Sequence, residues 1–190
     1  MARPSVADER REQIIEATLK TIAENGVSAT TLDLIAKTAE MSRGHVRHFV
    51  GNRDALLVDA ARSFYADEEG ETTAILPASI TTLTEALDYL FGSEFVASTS
   101  ENTIVLGFVE LSRKLPEIAA VLSEVYLDTQ SRLGAMLATE FPGADPDVRA
   151  DLAVTILATA LGNVFLEDFS HNPDRPAQSR RMIEKLLGAL

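Results

Sequence analysis

Between Glu40 and Asp54 the chain holds no carboxylate, yet it holds Arg43, His45, Arg47, His48 and Arg53. These side chains are hydrogen-bond donors suited to phosphate oxygens and to the O6 and N7 edge of guanine. Wound as a helix, residues 43–50 place Val46, Phe49 and Val50 on one side. Gly44, His45, Arg47 and His48 take most of the other side, with Arg43 at its edge. Gly44 leaves room for a close partner, and a major groove admits such a helix. A solvated charged face is the plainer alternative, and the surrounding helices decide between the two. His45 and His48, three apart, are the right types to hold a metal, but only His171 remains to help and there is no cysteine. No metal site and no cofactor are expected. Glu110, Asp128, Glu140 and Asp168 fall on or near helices, where carboxylates are mostly solvated. No glycine-rich phosphate loop, Gly-x-Ser-x-Gly elbow or two-histidine zinc helix occurs, so no catalytic residue is assigned and an enzyme is not expected.

The elements around this segment read as helix nearly throughout. Ile15, Leu19, Ile22 and Ala23 recur at helical spacing, which predicts an amphipathic helix over about Asp8–Asn25, stopped by Gly26. Thr30 and Thr31 offer N-caps for a short second helix that turns Leu32, Ile35, Ala36 and Ala39 inward. Ser42 caps the third, Arg43–Val50. Gly51 or Asn52 breaks the chain before a fourth, from Arg53 to about Glu69. The four-residue link Ala39–Ser42 between two short helices is the outline of a helix-turn-helix. After the polar stretch "GETTAILPAS", helices are predicted near Thr82–Ala97, Thr103–Lys114, Pro116–Glu140, Pro146–Asp168 and Arg175–Leu190. No alternating apolar run suggests a strand. The expected fold is all-α with about nine helices. A three-helix head at 1–55 would bind DNA, and a larger helical domain at 56–190 would dimerise; the family resemblance given next implies that this second domain also binds an effector.

Residues 11–57 resemble the N-terminal domain of the TetR family of transcriptional repressors. The matching segments are "REQIIEATLKTIAENG", "TTLDLIA" and "MSRGHVRHFVGNRDALL". Within the family the head looks closest to the choline-responsive regulators of betaine synthesis. The resemblance implies an all-α homodimer that binds operator DNA and answers to a small-molecule effector. It also implies roles. Arg43 and His45 would reach base edges beside Ser42 and Gly44, and Arg47 and His48 would touch base or phosphate. Thr31 would bind phosphate, and Arg53 stands where the family places a phosphate-binding lysine. Arg3, Arg10 and Arg11 would add contacts from an N-terminal arm. Three departures stand out. Glu40 occupies a turn position that usually holds glycine, so strain is expected there. Phe49 lacks the hydroxyl of the usual tyrosine, and Val50 replaces a usual phenylalanine.

The formal net charge of -12 taken alone argues against nucleic acid. Its distribution reverses that. Residues 1–57 hold eight basic and eight acidic residues, whereas the remainder holds nine basic and 21 acidic. Hydrophobic residues make up 46%, enough for a sizeable core. No apolar run of the roughly 18 residues that a membrane span needs is apparent, and the N-terminus lacks a secretory pattern. A cytoplasmic protein with no membrane partner is expected. In the second domain, Phe91, Phe95, Phe108, Glu110, Tyr126 and Gln130 are candidates to line an effector cavity. If Glu110 faces it, a cationic effector is favoured. Ala153, Leu157, Ala160, Leu161, Val164, Met182, Ile183 and Leu186 are candidates for a two-fold dimer interface. Two other classes remain open: a helical small-molecule binding protein with no DNA role, and a helical enzyme.

Overall fold

The computed structural model describes residues 6–66, 75–93, 95 and 99–190. Among them run nine helices and no sheet. These are α1 (Val6–Asn25), α2 (Leu32–Thr38), α3 (Arg43–Val50), α4 (Arg53–Phe64), α5 (Leu83–Leu90), α6 (Thr99–Ser112), α7 (Pro116–Glu140), α8 (Pro146–Glu167) and α9 (Arg175–Leu187). The fourth helix therefore ends earlier than its apolar pattern suggested, with Tyr65 as its C-cap. The sixth begins before Thr103.

Contacts divide the chain into two compact units. One comprises 1–72 and 103–122, the other 73–102 and 123–190. This division differs from a cut at residue 55: α4 and part of α6 pack with the first three helices.

In the first unit, Ile14 and Ala17 of α1, Ile35 and Ala36 of α2, Val46 and Val50 of α3, and Leu56 of α4 form one buried cluster. Burying each of the two valines stabilises the head by about 1.5–3 kcal/mol. A second group surrounds Phe108, which is fully buried against Phe64 and Tyr65. Gly107 sits where a Cβ would come 3.1 Å from the Val27 Cβ, so α6 approaches the end of α1 through a position that has no room for a side chain.

In the second unit, Leu83, Leu87 and Leu90 of α5, Leu133 and Leu137 of α7, Leu152, Ile156 and Ala160 of α8, and Ile183 and Leu187 of α9 share a core. A capping box opens α5: the Thr82 hydroxyl accepts from the Glu85 N–H, and the Glu85 carboxylate accepts from the Thr82 N–H. Those backbone donors, Thr81 first, hold the Glu85 carboxyl below its ordinary range. Arg132 donates to the carbonyls of Leu76, Pro77 and Ile80, which fixes the segment leading into α5.

By length and composition alone α8 could cross a membrane, with 22 residues and mean hydropathy 1.4. No single apolar run had signalled this, because Asp147, Arg149 and Asp151 interrupt its start. One side of it is core.

The turn between α2 and α3 is a Schellman motif. Met41 N–H donates to the Ala36 carbonyl at 2.9 Å and Glu40 N–H to Lys37 at 3.2 Å. That motif requires a left-handed residue, and Glu40 supplies it at φ 56°. Left-handed backbone costs an L-residue roughly 1–2 kcal/mol. Glycine would give back about 0.5–1 kcal/mol of that through its greater unfolded-state entropy. Glu40→Gly is therefore expected to stabilise the protein by about 0.5–1 kcal/mol in urea denaturation. A lower midpoint would show that the turn holds no strain.

Candidate nucleic-acid interface

Eight residues cannot hold a helix by themselves. α3 is fixed by three devices. Ser42 caps it, its hydroxyl accepting from the His45 N–H at 3.2 Å. Val46 and Val50 anchor it in the buried cluster. From α1, the Gln13 amide donates to the Ala39 carbonyl at 3.0 Å and holds the preceding turn.

With that edge buried, Arg43, Gly44, His45, Arg47 and His48 all face outward. A Cβ on Gly44 would meet nothing within 4 Å, so no contact inside the described protein requires glycine there. Phe49 lies partly buried between the two imidazoles, 5.0 Å from His45 and 5.2 Å from His48 between ring centres. The Arg47 guanidinium has no ion pair among the described residues. The Arg43 Nη1 donates to the Asp33 carboxylate of α2 at 2.9 Å. Thr31 is exposed and caps α2, accepting from the Leu34 N–H; its own O–H stays available as a donor.

Two basic residues are more committed than the sequence suggested. Arg53 Nε donates to the Thr30 carbonyl at 2.6 Å and its Nη2 to the Val27 carbonyl at 2.8 Å. The expectation of a cation free for phosphate is corrected there: its long side chain folds back onto the α1–α2 loop, whose carbonyls lack helical partners. Arg11 pairs with Asp59 of α4 at 2.6 Å while staying half exposed. Arg10 donates to Gln13. Arg3 lies outside the described residues.

The proposed effector residues are not one group. Phe91, Phe95 and Tyr126 join the core of the second unit, where Tyr89 contacts Phe95 at 5.3 Å. Burial, then the charge of Glu101, raises the Tyr89 hydroxyl pKa. Gln130 is partly buried in the same unit. Phe108 belongs to the first unit's core. Glu110 is exposed and accepts from the Ser28 hydroxyl at 3.3 Å, which corrects its placement in a cavity and removes the argument for a cationic effector. A cavity of about 250 Å³ lies elsewhere, lined by Leu83, Thr84, Leu87, Phe141, Arg180 and Leu187 among others.

Five of the eight dimer candidates are corrected too. Ala153, Leu157, Ala160, Val164 and Ile183 are buried within their own subunit. Leu161 is partly so, and Met182 and Leu186 are exposed. The apolar side chains left outside on these helices and after them are Val148, Val154, Phe165, Leu166, Phe169, Met182, Leu186 and Leu190.

Sequence reasoning missed Gln13, Asp33, Gly107 and Arg132. They gave no signal, because each is defined by a partner ten or more residues away in the chain.

A short capped helix that turns donors outward from a three-helix head makes this a helix-turn-helix DNA-binding protein. Residues 14–60 match the family model of bacterial regulatory proteins of the tetR family. The HTH-type transcriptional regulator BetI of Paraburkholderia phymatum is 28% identical over 166 residues, spanning 87% of this chain and 84% of that one. A TetR-family transcriptional regulator from Cytophaga hutchinsonii shares the fold at a TM-score of 0.75 and 14% identity, over 100% of this chain and 98% of that one. The multidrug binding protein EbrR, complexed with imidazole, does so at 0.61 and 19%, over 97% and 96%. The head thus matches the tetR-family model, and the chain is similar over most of its length to a transcriptional regulator.

Because Val27 and Thr30 are buried, removing the Arg53 donors strips the Thr30 carbonyl of its partner and leaves Val27 only the bond from Thr30 N–H at 3.3 Å. Arg53→Met is expected to cost about 2 kcal/mol of stability, read from the urea midpoint. An unchanged midpoint would return Arg53 to the role of a free cation.

Proposed function

We propose that the protein is a cytoplasmic repressor that binds an inverted-repeat operator as a homodimer and is released by a small molecule. The observation that carries this reading is the outward edge of α3, with Arg43, His45, Arg47 and His48 around an open Gly44. In the proposed complex Arg43 and His45 meet base edges, while Arg47 and His48 meet base or phosphate. Thr31 donates to phosphate, and Ser42 sets the helix start that aims them.

Homodimerisation is supported by the apolar side chains exposed on α8 and α9. Phe165 is 54% and Met182 56% exposed, beside Val154, Phe169, Leu186 and Leu190. Such a surface on a monomer marks an interaction site. Two helices from each copy would form a two-fold contact, and two recognition helices would then read an inverted repeat. Phe165→Glu combined with Met182→Glu is expected to turn the dimer into a folded monomer in sedimentation and to abolish tight operator binding. Dimerisation that survives both changes would place the interface elsewhere.

For the effector, the group Tyr89, Phe91, Phe95 and Tyr126 offers an aromatic wall with hydroxyls at its margin, as small-molecule sites require. EbrR, which shares the fold, is named a multidrug binding protein. Effector and operator would oppose each other with a coupling of about 1–3 kcal/mol. The test is fluorescence anisotropy on a duplex selected from a random pool, with and without a panel of aromatic and aliphatic small molecules. Tight, salt-steep binding that a panel member weakens is the expected result. Duplex binding that no compound alters would leave a DNA-binding dimer without an inducer.

Arg47, with no ion pair among the described residues, gives the cleanest single test. Arg47→Ala is expected to weaken operator binding by about 1–3 kcal/mol while sparing random DNA, if Arg47 reads a base. Equal losses on both would make it a phosphate contact.

A further inference from the structure

We infer that Asp33 is a positioning residue for base reading. It holds one edge of the Arg43 guanidinium so that the other edge is presented to guanine. This rests on the DNA-binding reading of α3.

Arg43 is the first residue of α3 and Asp33 the second of α2. The turn between the two helices brings them together, and Arg43 Nη1 donates to Asp33 Oδ2 at 2.9 Å. Both side chains are well exposed, at 62% and 66%. An ion pair in that position does little for folding, because water screens it and two long side chains must be ordered. A carboxylate at the cationic edge is also a liability for phosphate binding. The pair makes sense when DNA is present.

The guanidinium has five N–H donors in a rigid plane. With Nη1 turned to Asp33, Nε and Nη2 keep a parallel pair of donors, the fork that matches guanine O6 and N7. The flexible stem then gives up less rotamer freedom on binding, since the planar head is already held. When the groove excludes water, the Asp33 charge needs its cation more strongly than it did in solvent. Arg43 is thereby tied to one position and one orientation. A free arginine would reach for the nearest phosphate; a held one reads a base. Asp33 also repels every phosphate backbone alike, which lowers binding to random sequence. Both effects raise the ratio of specific to non-specific affinity.

The experiment uses the full chain and an operator selected from a random duplex pool. Affinities are measured for the operator, for variants with each guanine replaced, and for a random duplex. The proteins are wild type, Asp33→Ala, Asp33→Asn, Arg43→Ala and the double variant Asp33→Ala/Arg43→Ala. Thermal melts establish that each is folded. Asp33→Ala is expected to lose about tenfold in discrimination at one guanine per half-site, the same position at which Arg43→Ala loses discrimination. Its affinity for random DNA should be equal or higher. Asp33→Asn, whose amide oxygen still accepts from Nη1, should recover part of the loss. In the Arg43→Ala background, Asp33→Ala should change discrimination no further.

If Asp33→Ala raises affinity for operator and random duplex by the same factor, with discrimination unchanged everywhere, Asp33 merely repels phosphate and the inference fails alone. A wild-type chain that binds no duplex overturns the DNA-binding reading and this inference with it.

Discussion

Everything the head does depends on two valines. α3 is too short to persist alone, and only Val46 and Val50 are fully buried from it. Their burial fixes which side of the helix faces out, and so fixes the outward set Arg43, Gly44, His45, Arg47 and His48. Ser42, the left-handed Glu40 and the Gln13 amide then settle where the helix starts and how it is tilted. Base reading tolerates little error in donor position. Three local devices on a small apolar anchor are an economical way to obtain that precision. They also explain why a strained glutamate can persist in the turn: the Schellman bonds on either side over-determine its conformation.

The loop between α1 and α2 is the second point on which the head depends. Its carbonyls at Val27 and Thr30 are held by Arg53, the first residue of α4. Val27 packs under Gly107 of α6, and Ser28 donates to Glu110 of the same helix. Two later helices therefore grip the loop that leads directly into Thr31 and α2. A displacement of α4 or α6 must either carry this loop along or break charge-assisted hydrogen bonds to buried carbonyls. Such bonds contribute about 1.5–3 kcal/mol each, comparable with the whole of a typical allosteric coupling. Motion that follows the loop is thus favoured over motion that tears it.

How far the sequence could be read follows from how local each feature is. The caps Thr31 and Ser42 were legible because a cap acts within three residues of itself, whereas Asn52, which caps α4, was read only as a possible break. The outward face of α3 was legible because its two sides differ sharply in chemistry. The strained Glu40 was legible through family resemblance, as a glycine position without glycine. Four dimer candidates on α8 were misplaced for the opposite reason. α8 is apolar around most of its circumference, so periodicity cannot say which arc meets its own core. The structure turns Ala153, Leu157, Ala160 and Val164 inward and leaves Val154 and Phe165 out. Arg53 and Glu110 were misassigned because their partners lie more than 20 and 80 residues away in the chain. Phe108 was taken for a cavity residue because spacing alone does not reveal which unit a helix joins.

An acidic regulator of DNA poses an electrostatic problem, and the structure shows where it is resolved. Salt limits the reach of exposed charges to about 8–10 Å. A phosphate beside α3 therefore responds to the carboxylate-free stretch 41–53 and to the carboxylates nearest it, not to the sum of -12. The 21 acids beyond residue 57 act on that phosphate only within this screened reach. The price is a thin cation supply. Of the three arginines in the stretch, Arg53 is spent largely on backbone carbonyls and Arg43 is held by Asp33. Only Arg47 has no ion pair among the described residues. With so few unspent cations at α3, counterion release there contributes little, and that edge cannot bind DNA tightly through charge alone. In the proposed homodimer affinity comes instead from pairing two heads and from oriented contacts to bases. For the proposed release by a small molecule that balance is the useful one: the less affinity comes from sequence-blind attraction, the more of it a change in the proposed dimer can remove.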